Sequence, residues 1–283
     1  MTASDKNNFG GDFVELLKVN QELCIKCGLC AEVCPNGVIG MSAEGPQTVS
    51  PDCIVCGHCT AICPTVALDH EKAPLDQQVP LDKYPVIDAE TAATFLRSRR
   101  SIRQYKKEKI AKETVMKLLD IARFAPTGCN SQGLSYIVIE NDEKLKRVTE
   151  ATIEWLEKQL ADNVEWVKPF AGLPEVYRKQ GIDVVLRNAP SIIVAIAPQG
   201  FSMAHDNARF SLEYVELYAI SMGLGTCWAG FVEIAAASQY KPLLEALQIP
   251  EEFTAVGAMM LGYPKYTFKR LVDRQPLSVT WVE

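Results

Sequence analysis

The chain has 283 residues, 48% of them apolar, and a formal net charge of −6. That length exceeds one small cofactor-binding module and leaves room for a second domain with its own core. No apolar run reaches the ~18 residues of a membrane span, and basic residues do not interleave with aromatics as in nucleic-acid readers. Neither a membrane segment nor a nucleic-acid partner is therefore expected. The opening stretch, MTASDKNNFGGDF, lacks the apolar region of a secretory signal.

In chain order, the first informative element is a cysteine run, Cys24-x-x-Cys27-x-x-Cys30-x-x-x-Cys34-Pro35. It recurs as Cys53-x-x-Cys56-x-x-Cys59-x-x-x-Cys63-Pro64. Three thiolates within seven residues can face one concave loop. Gly28 and Gly57 follow the second cysteine of each copy, where positive φ lets backbone N–H groups approach cofactor sulfurs. Pro35 and Pro64 end each loop. Paired CxxC motifs would also suit zinc ribbons or a disulfide scaffold, but this longer order, twice over, is more specific. It is the iron–sulfur run in which the fourth cysteine of each copy serves the cluster of the other. The expected ligand sets are Cys24, Cys27, Cys30 and Cys63 for one [4Fe-4S] cluster, and Cys53, Cys56, Cys59 and Cys34 for the other. This half resembles two-[4Fe-4S] bacterial ferredoxins over residues 12–70. Thiolate-held clusters point to a reducing compartment, and the cytoplasm is expected. Residues 1–75 hold nine acidic against four basic residues, so most of the chain's charge lies here. That acidity suits a solvated face, or one that steers a basic redox partner. His58 sits between two ligands as a surface or supporting group, and His70 and His205 show no ligand spacing.

Residues 71–88 hold prolines and charges without periodicity and read as a semi-rigid linker. Beyond it, the spacing predicts helices over Ala89–Arg99, Lys112–Phe124 and Met203–Met222. Buried strands are expected at Ser135–Glu140, Ser191–Pro198 and Phe253–Gly262. Helices and strands alternate without a regular βαβ repeat, which places residues 89–283 in an α/β or α+β arrangement.

Four segments of this half, in order, are Arg99-Arg100-Ser101-Ile102-Arg103, Ala125-Pro126-Thr127-Gly128-Cys129-Asn130-Ser131-Gln132, Gly223-Leu224-Gly225-Thr226-Cys227-Trp228-Ala229-Gly230 and Leu261-Gly262-Tyr263-Pro264 with its basic tail. Together they resemble the FMN-dependent nitroreductase family, and the whole chain resembles ferredoxin–nitroreductase fusions. The implied fold is α+β: a small ferredoxin-like domain, then a domain with a mixed, mainly antiparallel central sheet flanked by helices. Guanidinium forks and a hydroxyl at Arg99, Ser101 and Arg103 suit a phosphate and ring carbonyls, and the resemblance assigns these three to FMN; Arg100, where the family varies, is included with them. It places Asn130 at the flavin's pyrimidine edge, although a turn role is the plain alternative. Gly133 stands where many members carry Pro, which would loosen that loop. Trp228, Ala229 and Gly230 match the stretch whose backbone N–H reaches flavin N5. Arg270 and then Arg274 are the cations expected over the phosphate, with Lys269 beside them.

Cys129 and Cys227 lie on the implied flavin loops, and packing is the ordinary reading of such cysteines. Trp155, Trp166, Phe170 and Tyr177 occupy the place of a variable lid, with packing again the simpler account. The implied activity is an iron–sulfur flavoprotein oxidoreductase. Electrons would pass through two [4Fe-4S] clusters to FMN and on to a small organic acceptor such as a nitroaromatic or quinone. A low-potential donor (ferredoxin, flavodoxin or similar) or NAD(P)H would supply them, and the resemblance implies a homodimer. The rival readings are an electron carrier or redox sensor without turnover, and NAD(P)H-driven flavin reduction with the clusters as exit.

Overall fold

A computed structural model of the chain describes residues 16–81 and 83–283. The expected start of the first domain at residue 12 lies outside the described residues. The chain forms two compact units: residues up to Val86 with Cys129–Ser131, and Ile87–Gly128 with Gln132–Glu283.

The first unit is built from a duplicated loop. Strand β1 (Leu17–Val19) leads to the first cysteine run and short helix α1 (Leu29–Glu32). A ribbon of β2 (Ile39–Ser42) and β3 (Gly45–Thr48) follows, then the second run with α2 (His58–Ala61) and strand β4 (Leu68–His70). β4 returns antiparallel to β1, pairing Leu17 with His70. The two copies share backbone strain as well as cysteines. Left-handed residues occur at Lys26, Gly28 and Gly37 in one and at Val55, Gly57 and Val66 in the other. A β-branched residue in that region is strained, so the loop geometry is imposed even where glycine is absent. The core is thin: Leu17, Ile39 and Leu68 are buried, with Cys30, Cys34, Cys59 and Cys63 packed against them. Beyond β4, part of the stretch read as linker folds onto this unit. Gln78 donates its amide to Thr60 Oγ1 at 2.6 Å and to the Ala73 carbonyl at 3.0 Å.

The second unit opens with α3 (Ala89–Ser98), capped by Asp88 accepting the Thr91 N–H, and α4 (Lys112–Ala122). Next come β5 (Ser135–Ile139), α5 (Asp142–Ala161) and α6 (Gly172–Gln180). Then follow β6 (Ser191–Pro198), α7 (Ala204–Ser221), β7 (Gly225–Trp228), α8 (Gly230–Ala237), α9 (Lys241–Leu247) and β8 (Phe253–Gly262). The sheet order is β5-β6-β8-β7. The expected sheet is mixed and mainly antiparallel; every pairing among these described strands is antiparallel.

The near-continuous apolar run of β6 has a direct cause: both faces of the sheet are covered. Strand alternation sends Ile192, Val194 and Ile196 into the layer with α5, α8 and α9. Ile193, Ala195 and Ala197 enter the layer with α4 and α7. β8 keeps the same division through a bulge opposite Ala195 and Ile196, which reverses its alternation at Gly257. Met260 and Ala258 thus join the first layer with Ala255, while Met259 and Leu261 join the second with Val256. Among the described residues no helix is long and apolar enough to cross a membrane.

The strain at Val66 is open to test, because its repeat counterpart is Gly37 and its side chain is 56% exposed. Val66→Gly should stabilise the first unit by about 1 kcal/mol, the relief of one left-handed β-branched residue less the glycine entropy. A chemical-denaturation midpoint that falls instead would contradict an imposed loop geometry.

Candidate functional site: two cysteine-lined recesses and an arginine-bearing sheet edge

The duplicated loops fold around two recesses in the first unit. One is walled by Cys53, Cys56 and Cys59 of the second run and Cys34 of the first, with Leu17, Val38, Ile39, Ile54, His58 and His70. The other is walled by Cys24, Cys27, Cys30 and Cys63, with Val19, Ile25, Met41, Pro46 and Leu68. The division of the eight cysteines is the crossed one expected from spacing. All eight are free thiols rather than disulfides.

Backbone donors aim at the sulfurs. The Val38 N–H reaches Cys34 Sγ and the Ala67 N–H reaches Cys63 Sγ, each at 3.3 Å, and the Val55 N–H reaches Cys53 Sγ at 3.4 Å. Burial pushes the Cys59 thiol up to about 11 and raises that of Cys30. At Cys63 burial also pushes upward, but the N–H groups of Ala67 and Thr65 outweigh it and the thiol ends low. Thiols held up by burial become thiolates when a cation compensates the charge. Each recess brings four cysteines together among apolar walls, a donor set that fits a thiolate-held iron–sulfur group.

His70 was assigned no role from spacing, yet it is 3% exposed and faces this chemistry. Its Nδ1 accepts the N–H groups of Lys72 and Ala73 at 3.1 and 3.2 Å. A nitrogen accepting two N–H bonds carries no proton, so the ring proton sits on Nε2, 3.4 Å from Cys53 Sγ. Desolvation, with Lys72 nearby, lowers the imidazole pKa. The repeat could have marked it: His70 aligns with Met41, and each lines one recess. Asn130 belongs to this same unit. Its amide donates to the carbonyls of Ile54 and Val55 at 2.9 and 3.0 Å, within the Cys53–Cys56 loop. These contacts engage the amide nitrogen and tie Asn130 to the Cys53–Cys56 loop.

In the second unit, the arginine segment is pinned to the open end of the sheet. The Ile102 N–H donates to the Thr226 carbonyl at 2.8 Å, and the Lys106 N–H to the Tyr263 carbonyl at 2.9 Å. The Tyr105 hydroxyl donates to the Ile102 carbonyl at 2.6 Å. Two glycines paired across β7 and β8, Gly225 and Gly262, make room. A Cβ on Gly225 would meet Ile102 at 2.5 Å, and one on Gly262 would meet Pro190 and Tyr105 at 2.6 and 2.7 Å. Three of the four resemblance segments thus converge.

Their side chains divide the work. Arg99 pairs with buried Glu216 through Nη1 at 3.1 Å, and Glu216 also accepts the Thr226 hydroxyl at 3.0 Å. Arg99 therefore neutralises a core carboxylate, a use the sequence did not announce. Arg100 and Arg270 line one recess with Ser98, Phe268 and Lys269, and Arg100 lies over the Phe268 ring at 4.8 Å. Arg103 donates to the Ser101 carbonyl at 3.4 Å. Arg274 lies on the exposed tail outside that recess.

The Ala229 N–H is taken by the Ala258 carbonyl at 2.8 Å. Gly230 begins α8, so its N–H has no carbonyl a turn earlier in the helix. The expectation of a backbone donor at Trp228–Gly230 thus narrows to Gly230. The Trp228 ring is covered by the Arg209 guanidinium at 4.5 Å. Gly133 does not slacken its loop: its φ is +61° and a Cβ would strike Phe201 at 2.7 Å. Proline, fixed near −65°, cannot occupy it. Cys227 is buried with its thiol raised by desolvation, as a packing cysteine would be. Trp155 is buried, and Trp166 and Phe170, both exposed, run from it to Phe231 of α8 through tilted and edge-on ring contacts.

The second unit is thus an antiparallel sheet covered by helices on both faces, with cations and a glycine-opened backbone at one edge. The Nitroreductase family profile matches residues 96–263, more than half of the sequence, and the chain belongs to that family. A 4Fe-4S binding domain profile matches residues 17–40, so the chain is an oxidoreductase of the ferredoxin–nitroreductase fusion type. A protein of Archaeoglobus fulgidus described as a candidate NADH dehydrogenase/NAD(P)H nitroreductase is 28% identical over 181 residues, 62% of this chain and 87% of that one. An iodotyrosine deiodinase of Thermotoga neapolitana is 23% identical over 181 residues, 59% of this chain and 86% of that one. A nitroreductase with bound FMN from Desulfitobacterium hafniense has a similar fold, with a TM-score of 0.55 at 22% identity over 70% of this chain and 100% of that chain.

The Arg99–Glu216 pair yields a stability test. Removing one partner of a buried pair costs about 3–5 kcal/mol; Arg99 is a quarter exposed, so Arg99→Leu should cost about 3. Adding Glu216→Gln should recover most of it in urea melts, and no recovery would mean that Arg99 acts elsewhere.

Proposed function

We propose that this protein is an iron–sulfur flavoenzyme holding two [4Fe-4S] clusters and FMN, which passes electrons to a small organic acceptor. The observation that carries the reading is the crossed lining of the two recesses by four cysteines each. When bound, the clusters supply one-electron transfer and FMN supplies the exchange between one- and two-electron chemistry.

In this reading Cys24, Cys27, Cys30 and Cys63 hold one cluster, and Cys53, Cys56, Cys59 and Cys34 the other. The N–H groups of Val38, Val55 and Ala67 offset negative charge at the sulfurs, and the apolar walls exclude water. Arg100, Lys269 and Arg270 form an anion cradle for the flavin phosphate. Ser101 and Arg103, on the segment held to the sheet edge by Ile102, would contact the flavin ring, and the Gly230 N–H would supply a donor to it. Arg274 closes over the phosphate from the tail. Asn130, with its amide on the Cys53–Cys56 loop, keeps that loop in place. The donor is a low-potential electron carrier or NAD(P)H; the Archaeoglobus fulgidus relative is described as a candidate NADH dehydrogenase/NAD(P)H nitroreductase. The tail leaves Tyr266, Phe268, Leu277, Trp281 and Val282 exposed, which supports burial against a second copy in a homodimer.

Substitution separates the two cofactor systems. Cys63→Ala should lose about four of eight iron atoms, from the cluster of the first run, and leave FMN bound. Arg270→Ala should weaken FMN binding about tenfold, one charge-assisted contact, with full iron content. Iron analysis and flavin titration read both. Unchanged iron in Cys63→Ala would remove the crossed assignment.

A further inference from the structure

The two recesses are copies in their backbone but not in one side chain. Each copy repeats the left-handed residues flanking its second cysteine, and each fourth cysteine accepts an N–H at 3.3 Å. The aligned positions Met41 and His70 differ in chemistry. Met41 lines the first recess as a thioether that cannot donate, and it is 40% exposed. His70 lines the second, is 3% exposed, and aims Nε2 at Cys53 Sγ across 3.4 Å. Its orientation is held from behind by the N–H groups of Lys72 and Ala73, and its strand by the pairing of Leu17 with His70.

We infer that His70 is a positioning residue that makes the two iron–sulfur sites unequal, holding the site of Cys53, Cys56, Cys59 and Cys34 at the higher reduction potential. A reduced cluster carries one more negative charge, shared with its thiolates. An N–H donor to a ligand sulfur stabilises that charge and raises the potential. An electron entering at the Cys24 site therefore moves downhill to the Cys53 site, oxidising the first by one electron and reducing the second by one. This inference rests on the two-cluster reading above.

The test is a potentiometric titration of the full-length holoprotein, prepared without oxygen and followed by electron paramagnetic resonance, with iron counted for each variant. Wild type should show two separated one-electron steps. His70→Leu should lower the higher step by a tenfold change in its reduction equilibrium, about 59 mV for one electron, and leave the other unmoved. His70→Gln, which keeps an N–H donor, should recover part of the separation. Met41→His, at an exposed position, should raise the lower step, and it decides the matter if His70→Leu loses iron. Full iron with both steps unmoved in His70→Leu would overturn the inference, as would an unmoved lower step in Met41→His. Wild-type protein with only half the expected iron would instead overturn the two-cluster reading itself.

Discussion

Cys34 and Cys63 each wall the recess formed by the other copy of the loop, and the first unit depends on that exchange. Among its described residues the buried apolar side chains are Leu16, Leu17, Val38, Ile39, Ala67 and Leu68, a small core for a domain of this size. Four cysteines complete the packing, so groups bound at the recesses contribute folding energy as well as chemistry. The exchange also makes the two sites mechanically one. Displacing either fourth cysteine disturbs the loop it leaves and the recess it lines. The strained valines Val55 and Val66 fit this picture, because their backbone follows the repeat where side-chain preference opposes it.

The second unit solves a different problem, how to present cations at a sheet edge without filling the space beside it. Gly225 and Gly262 let the arginine segment lie against β7 and β8, with Ile102 and Tyr105 filling the room a Cβ would take. The sheet beneath is stiff because helices cover both faces and a bulge in β8 keeps each layer apolar. Arg99 pairs with buried Glu216, while Arg100 and Arg270 line a recess at this edge.

Much of this was legible in the sequence, and for physical reasons. Cysteine spacing is local, so the crossed sets of eight could be read from the repeat. β6 was read at its observed bounds because a doubly covered strand is apolar throughout. Contacts between distant residues were not legible. Arg99 and Glu216 lie 117 residues apart, and nothing in either neighbourhood announces the pair. The donors that fix the His70 tautomer are local, but its approach to Cys53 follows from the fold. Asn130 kept its expected amide chemistry but found backbone carbonyls as partners. Gly133 looked like slack and proved to be a left-handed residue packed under Phe201.

The most direct measurement of the central claim is iron, acid-labile sulfide and flavin per chain, on protein purified without oxygen. The account predicts about eight iron, eight sulfide and one FMN. About four iron and four sulfide would contradict the paired recesses, and full iron without flavin, even after FMN is added, would contradict the cradle at Arg100 and Arg270.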